Sequence, residues 1–139
     1  MRFFLDRNVP IRLAEMVRIF DRQHDIEHHD QHFDEQTSDA TWLAKIAKWD
    51  PRPVVISGDL RILRHPAEAQ VLHETDLTFF ALERGWPKLR WEEQAWKFIK
   101  IWPLIRDKAN PRRPSIFRVP VSASKIEYWC LTSEVGTAR

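Results

Sequence analysis

Phe3-Phe4-Leu5-Asp6-Arg7-Asn8-Val9-Pro10 packs a strand, a turn and a helix start into a few residues near the N-terminus. A short apolar run bounded by polar residues reads as a buried strand. Pro10 suits the first turn of a helix, where a missing N–H costs nothing. Asp6 therefore belongs at the carboxyl end of a strand, in the strand-to-helix crevice where open α/β folds place their chemistry.

Working outward, Ile11, Leu13, Ala14, Met16, Val17 and Phe20 recur at helical spacing with arginines between them. That pattern predicts an amphipathic helix of about three turns. His24-Asp25 breaks it, Ile26 to His29 reads as a short strand, and the polar residues 30–37 read as a loop. Ser38 is a natural N-cap for a helix carrying Trp42, Leu43, Ile46, Ala47 and Trp49, which Asp50-Pro51-Arg52-Pro53 stops. Val54-Val55-Ile56 is a second buried strand, of the β-branched kind found in parallel sheets covered on both faces, and it runs into Ser57-Gly58-Asp59.

Pro66 to His73 predicts another helix and Leu77 to Leu82 another strand. After Gly85-Trp86-Pro87, the segment Trp91 to Ile105 is amphipathic: Trp91, Ala95, Phe98, Ile99 and Trp102 keep the helical period with lysines opposite. Asn110 to Pro114 is a basic linker, and Ile116 to Val119 is the last strand the pattern supports, because the signal fades beyond Pro120. Alternating strands and helices predict a three-layer α/β/α sandwich around a mainly parallel sheet. Right-handed crossovers then bring the carboxyl ends of the parallel strands to one rim. Residues 1–131 are expected to form one domain, with 132–139 a flexible tail.

A chain of 139 residues is large enough for a real core and small for two domains. No stretch approaches the roughly 18 to 20 apolar residues of a membrane span, and no basic region followed by an apolar signal core opens the chain. Cys130 is the one cysteine, which rules out an internal disulfide and a Cys-rich zinc site. These features predict a soluble cytoplasmic protein. Charge is uneven: residues 1–50 hold seven Lys/Arg against ten Asp/Glu, while residues 51–139 hold fifteen against ten. An acidic site beside a phosphate-binding face gives this asymmetry, and so does a solvated helix face.

Asp6 and Asp59 each follow an apolar strand, and Asp39 starts the helix capped by Ser38. On a parallel sheet all three can reach one edge, where converging carboxylates repel one another unless a cation lies between them. Hard oxygen donors without thiolate suit Mg²⁺ or Mn²⁺, which polarises a phosphoryl oxygen and lowers the pKa of bound water. Each acid also has a structural explanation. Asp39 favours the helix dipole, Asp59 fits a turn, and Asn8 either orients a ligand or holds its loop. Arg61 and Arg64 are candidates for phosphate contact. Lys97 and Lys100, on the helix with the tryptophans, could cradle single-stranded RNA, although tryptophans at helical spacing are more often core. His24, His28, His29 and His32 lack zinc-ligand spacing, since adjacent strand residues point to opposite faces.

Leu5-Asp6-Arg7-Asn8-Val9-Pro10, His24-Asp25-Ile26, Thr37-Ser38-Asp39 and Val55-Ile56-Ser57-Gly58-Asp59, taken in order, resemble the PIN-like domains. In particular they are similar to the VapC-type toxin ribonucleases of toxin–antitoxin pairs. The resemblance spans about residues 2–62. It implies a PIN-type sandwich and a Mg²⁺-dependent endoribonuclease whose metal-binding and catalytic acids are Asp6, Asp39 and Asp59. It also implies an RNA substrate and a small antitoxin partner; from the residues themselves Asn8, Arg61, Lys97 and Lys100 are the expected substrate contacts, and there is room for a homodimer. A non-catalytic PIN-like module that binds RNA or protein is the alternative. Arg7 stands where relatives often carry an acid and Gly58 where they often carry Asn, and a fourth acid is not evident, with Asp76 and Asp34 the weak candidates. Asp6-Arg7-Asn8 is faintly similar to the nucleophile motif of haloacid-dehalogenase-like phosphatases. Asn8, however, replaces the acid those proteins carry, and a chain with three glycines has no Gly-rich phosphate loop.

Overall fold

Phe3 and Leu5 of the first strand, β1 (Arg2–Leu5), enter one hydrophobic layer, and Phe4 between them enters the other. This alternation is the pleat of a strand covered on both faces. The same division repeats along the chain in a computed structural model that describes residues 1–135. The elements after β1 are α1 (Ile11–Phe20), β2 (Asp25–His28), α2 (Asp39–Ile46), β3 (Val54–Ser57), α3 (Pro66–Thr75), β4 (Phe79–Leu82), α4 (Trp91–Lys108), β5 (Ser115–Val119) and β6 (Glu127–Leu131).

One layer packs α1 and α4 on the sheet through Leu13, Val17, Phe98, Ile101 and Trp102. The other packs α2 and α3 through Trp42, Leu43, Ile46 and Leu72. Trp102 donates its indole N–H to buried Asp21 at 2.8 Å, and Arg106 reaches the same oxygen at 3.2 Å. That pair of donors ties the end of α1 to α4. Burial alone would raise the Asp21 carboxyl; the two donors and the Gln23 N–H hold it below its ordinary value.

The sheet runs β2-β1-β3-β4-β5-β6, parallel except for antiparallel β6. The chain passes from β1 outward to β2 and then returns to the other side of β1 for β3. Strand order therefore reverses between β1 and β3, the switch point where a doubly wound sheet opens a crevice at its carboxyl rim. The predicted α/β/α sandwich with a mainly parallel sheet is the architecture observed.

Three details differ from the pattern reading. Strand β6 pairs with β5 through an irregular register beside Ile116/Phe117. Helix α4 runs through Pro103 to Lys108, past the expected end at Ile105. The expected tail does not begin at residue 132: Thr132 is buried and donates its hydroxyl to the Leu77 carbonyl at 2.7 Å, and Val135 is buried beside it. Residues 136–139 of that expected tail lie outside the described residues. Among the described residues no helix is long and apolar enough to cross a membrane.

Candidate active site at the carboxyl ends of β1 and β3

Asp6 continues the line of β1 by one residue, with its N–H bonded to the Ile56 carbonyl of β3 at 2.9 Å. That bond fixes the side chain in the crevice, where the residue is only 4% exposed. One carboxylate oxygen accepts from the Ser57 hydroxyl at 2.7 Å and the other from the Arg7 N–H at 2.6 Å. Both donors are neutral. Burial pushes the Asp6 carboxyl up to about 6, and the nearby charge of Asp39 acts in the same direction. The hydrogen bonds from Ser57 and Arg7 oppose the shift without cancelling it.

The loop after β3 is tied to the same point. Ser57 Oγ accepts from the Asp59 N–H at 3.0 Å, and the Gly58 N–H donates to Asn8 Oδ1 at 2.9 Å. The Asn8 side-chain oxygen therefore braces the two loops. The Asp59 carboxylate holds the Arg61 guanidinium through both oxygens, at 2.9 and 3.0 Å, and also accepts the Arg61 N–H at 3.0 Å. The last bond caps a short 3-10 helix, Leu60–Leu63. Burial raises the Asp59 carboxyl, but the bonds from Arg61 outweigh it and hold the group below the ordinary carboxylate range.

Asp39 and Asp59 line one open hollow of about 300 Å³, with Arg7, Arg61, His65 and Glu68 around them. Asp39 is placed by the Ser38 cap, whose hydroxyl accepts the Thr41 N–H at 3.2 Å. One Asp39 oxygen accepts the Trp42 indole N–H at 2.9 Å; the other has no hydrogen-bond partner among the described residues. Asp6 is buried and is not among the residues that line this hollow.

Glu68 is the acid that sequence reasoning missed. It stands in the first turn of α3, 3.8 Å from His65 Nδ1, and enters the hollow because α3 starts at the rim where β3 ends. The signal was present: an acid just after a helix-starting proline, at a helix that follows the β3 rim. Asp76 is ruled out as the fourth acid of this hollow, because it closes α3 at the opposite rim beside Met1 and Pro111. Asp34 spends its carboxylate on the Gln36 N–H at 2.8 Å in the loop before α2.

Lys97 and Lys100 are not in this hollow. Lys97 donates to the Val121 carbonyl at 2.9 Å, and Lys100 lies 5.7 Å from the exposed Trp96 ring on α4. Phe98 and Trp102 are fully buried, and Trp91 is partly buried beneath the Arg12 guanidinium at 3.9 Å. His28 is buried, donating Nε2–H to the Val9 carbonyl at 2.6 Å and accepting the Asp30 N–H at 3.1 Å. His24 instead meets the N-terminal amine at 2.9 Å. Two larger hollows, about 450 and 480 Å³, sit at the amino ends of the strands, away from the crevice.

A family model described as a PIN like domain matches residues 1–84. The chain belongs to the PIN-like domain family. PIN-like domains form a superfamily of nucleases. The match takes in β1 to β4 and every wall of the acidic hollow, and it extends beyond the motifs that end near Asp59. Neither the curated proteins nor the solved structures contain a match to this chain.

The donors of this PIN-like domain suit a hard divalent cation in kind. They are carboxylate oxygens; Asp39 keeps one oxygen without a hydrogen-bond partner among the described residues, and buried Asp6, which feels the charge of Asp39, is hydrogen-bonded by two neutral donors. As the side chains stand, however, no three His, Cys, Asp or Glu among the described residues are gathered to hold an ion. At Asp59, Arg61 occupies both oxygens.

Proposed function

We propose that this PIN-like domain is a Mg²⁺-dependent endoribonuclease, with Mn²⁺ as an alternative ion, acting at the rim formed by Asp6, Asp39 and Asp59. The observation that carries this reading is Asp6 itself. A carboxylate 4% exposed, near a second carboxylate and bonded only to neutral donors, is poorly served by its own protein. Such a group gains most from a bound cation. Asp6 and Asp39 would hold the ion, with Asp59 joining once Arg61 turns away. The ion would polarise a phosphoryl oxygen and lower the pKa of its water.

The remaining chemistry belongs to the chain. Arg7 and Arg61 border the same hollow and supply the positive charge that an approaching phosphodiester needs. A phosphate that draws Arg61 to itself also frees Asp59, so substrate binding and assembly of the acids become linked. Glu68 and His65 stand across the hollow as polar groups able to orient a water. Asn8 acts by holding the loop after β3 in register with the loop after β1.

The finer role, the toxin of a VapC-type pair held in check by a small antitoxin, belongs to the same proposal and rests on motif resemblance. Growth arrest on expression, relieved by the product of an adjacent short reading frame, is its test. A non-catalytic PIN-like binding module is the second reading, favoured by the Arg61 clamp on Asp59. Mn²⁺ titration with incubation of a single-stranded oligoribonucleotide separates the two. Catalysis predicts metal-dependent cleavage that Asp39→Asn abolishes; RNA binding without cleavage at any Mn²⁺ concentration selects the module.

A further inference from the structure

A second hollow, of about 250 Å³, lies beside the acidic one and shares the Leu60–Leu63 3-10 helix as a wall. Arg61 and Ile62 border the acidic side, while Leu60 and Arg64 border this side. Its other walls are Glu83 and Arg84, just past β4, Arg118 of β5 and Trp129 of β6. We propose that this hollow is a nucleotide subsite of the RNA track, taking one base against the Arg118–Trp129 pair and its phosphates on Arg64 and Arg84. The proposal rests on the ribonuclease reading for its choice of ligand.

Three observations point to a nucleotide. First, the Arg118 guanidinium lies 4.0 Å from the centroid of the Trp129 ring, and that ring is 37% exposed on an edge strand. An indole and a guanidinium already stacked offer flat faces on which a base extends the stack, as single-stranded RNA sites do. Second, three arginines converge on one small hollow, and among the described residues none of them is paired with a carboxylate. Unneutralised arginines around an aromatic face match a phosphate backbone better than they match the interior of a fold. Third, Glu83 is the one acid in the wall, and a lone carboxylate among cations can accept a hydrogen bond from an exocyclic amine on the base edge. The volume lies below the roughly 300–1,000 Å³ of drug-sized sites, so it admits one base rather than a folded segment.

The placement gives the subsite its direction. A strand whose phosphodiester lies at Asp39 and Asp59 crosses the short 3-10 helix to reach Trp129 within the same rim. Trp129 and Arg118 also lie outside residues 1–84, so β5 and β6 add the stacking wall to the family-matched part.

The test is fluorescence anisotropy of an end-labelled single-stranded oligoribonucleotide with the full chain, in EDTA so that nothing is cleaved. Base stacking is worth about 1–3 kcal/mol, on the order of 5- to 150-fold in affinity. Trp129→Ala and Arg118→Gln are each expected to weaken binding by about 10-fold, Trp129→Phe to retain most of it, and Arg84→Gln to lower its salt dependence. Because Trp129 and Arg84 are surface residues, circular dichroism of each variant is expected to match the wild type. Unchanged affinity in both Trp129→Ala and Arg118→Gln overturns the subsite, as does a wild type that binds no oligoribonucleotide. Loss of binding in Trp129→Ala, alongside a wild type that never cleaves RNA with Mg²⁺ present, keeps the subsite and overturns the nuclease reading.

Discussion

Asp6 and Asp59 leave neighbouring parallel strands at the same rim, yet their surroundings drive the two carboxyls in opposite directions. Asp6 is buried and has two neutral donors, the Arg7 N–H of its own loop and the Ser57 hydroxyl at the end of β3, so the group rises to about 6. The loop after β3 gives Asp59 a guanidinium two residues on, so the group falls below its ordinary value. Strand ends alone do not determine a carboxylate's surroundings; the donors placed around each one do. One acid has no cationic hydrogen-bond donor, and the other is paired with an exposed guanidinium.

The comparison breaks most visibly in activity. Asp39→Asn and Asp59→Asn are each expected to lower cleavage of a single-stranded oligoribonucleotide by on the order of 100-fold or more, as loss of a preorganised charged group does. Single-turnover rates with Mg²⁺ read this directly, and rates within a few-fold of wild type in both variants would remove the rim from the chemistry.

Stability against pH is the next largest effect, measured in EDTA. A carboxyl raised from 3.8 to about 6 holds its proton more tightly in the folded chain. Its neutral form is therefore tolerated in acid, and stability drains away as pH rises from about 4 through 6. At pH 7 the ionised group costs on the order of 2–3 kcal/mol. Asp6→Asn should raise the urea midpoint at pH 7.5 and change it little at pH 4. Asp59 has the opposite sign. Its stabilisation is present at neutral pH and is lost as pH falls through its lowered value, so Asp59→Asn should matter only above the acid range. The Asp59 effect is the smaller, because Arg61 is 77% exposed and water screens the pair.

Ser57→Ala sharpens the contrast further, because one hydroxyl serves both loops, donating to Asp6 and accepting from Asp59. Its removal should cost about 1–2 kcal/mol at pH 7 and move the Asp6 titration upward, as read by carboxyl NMR. The smallest change is expected from Arg61→Gln. It should leave the fold intact, return Asp59 toward an ordinary carboxyl and tighten Mn²⁺ binding several-fold by removing a competing cation.

Much of this arrangement was legible in the sequence, and the parts that were not share a physical cause. Phe3-Phe4-Leu5 and Val54-Val55-Ile56 are continuous apolar runs because both faces of their strands are covered, and parallel connection rules then place Asp6 and Asp59 at one rim. Asp39 followed from the Ser38 cap, a local signal. Glu68 did not follow, because what brings it to the hollow is the return of α3 to the rim, a tertiary fact hidden behind an ordinary helix start. The Arg61 clamp is a choice of side-chain rotamer that no spacing encodes. Strand β6 was invisible because an edge strand with Tyr128 and Trp129 exposed keeps no clean alternation. The same two exposed rings that blurred the pattern are the ones facing outward beside Arg113 and Arg118.

The most direct test is the Asp6→Asn variant, measured twice on one preparation: oligoribonucleotide cleavage with Mg²⁺, and the urea midpoint at pH 7.5. A buried carboxylate kept at the expense of stability for a cation and a phosphodiester predicts that cleavage is lost while the midpoint stays equal or rises. Cleavage at the wild-type rate would contradict it, as would a midpoint that falls, which would make Asp6 a structural residue.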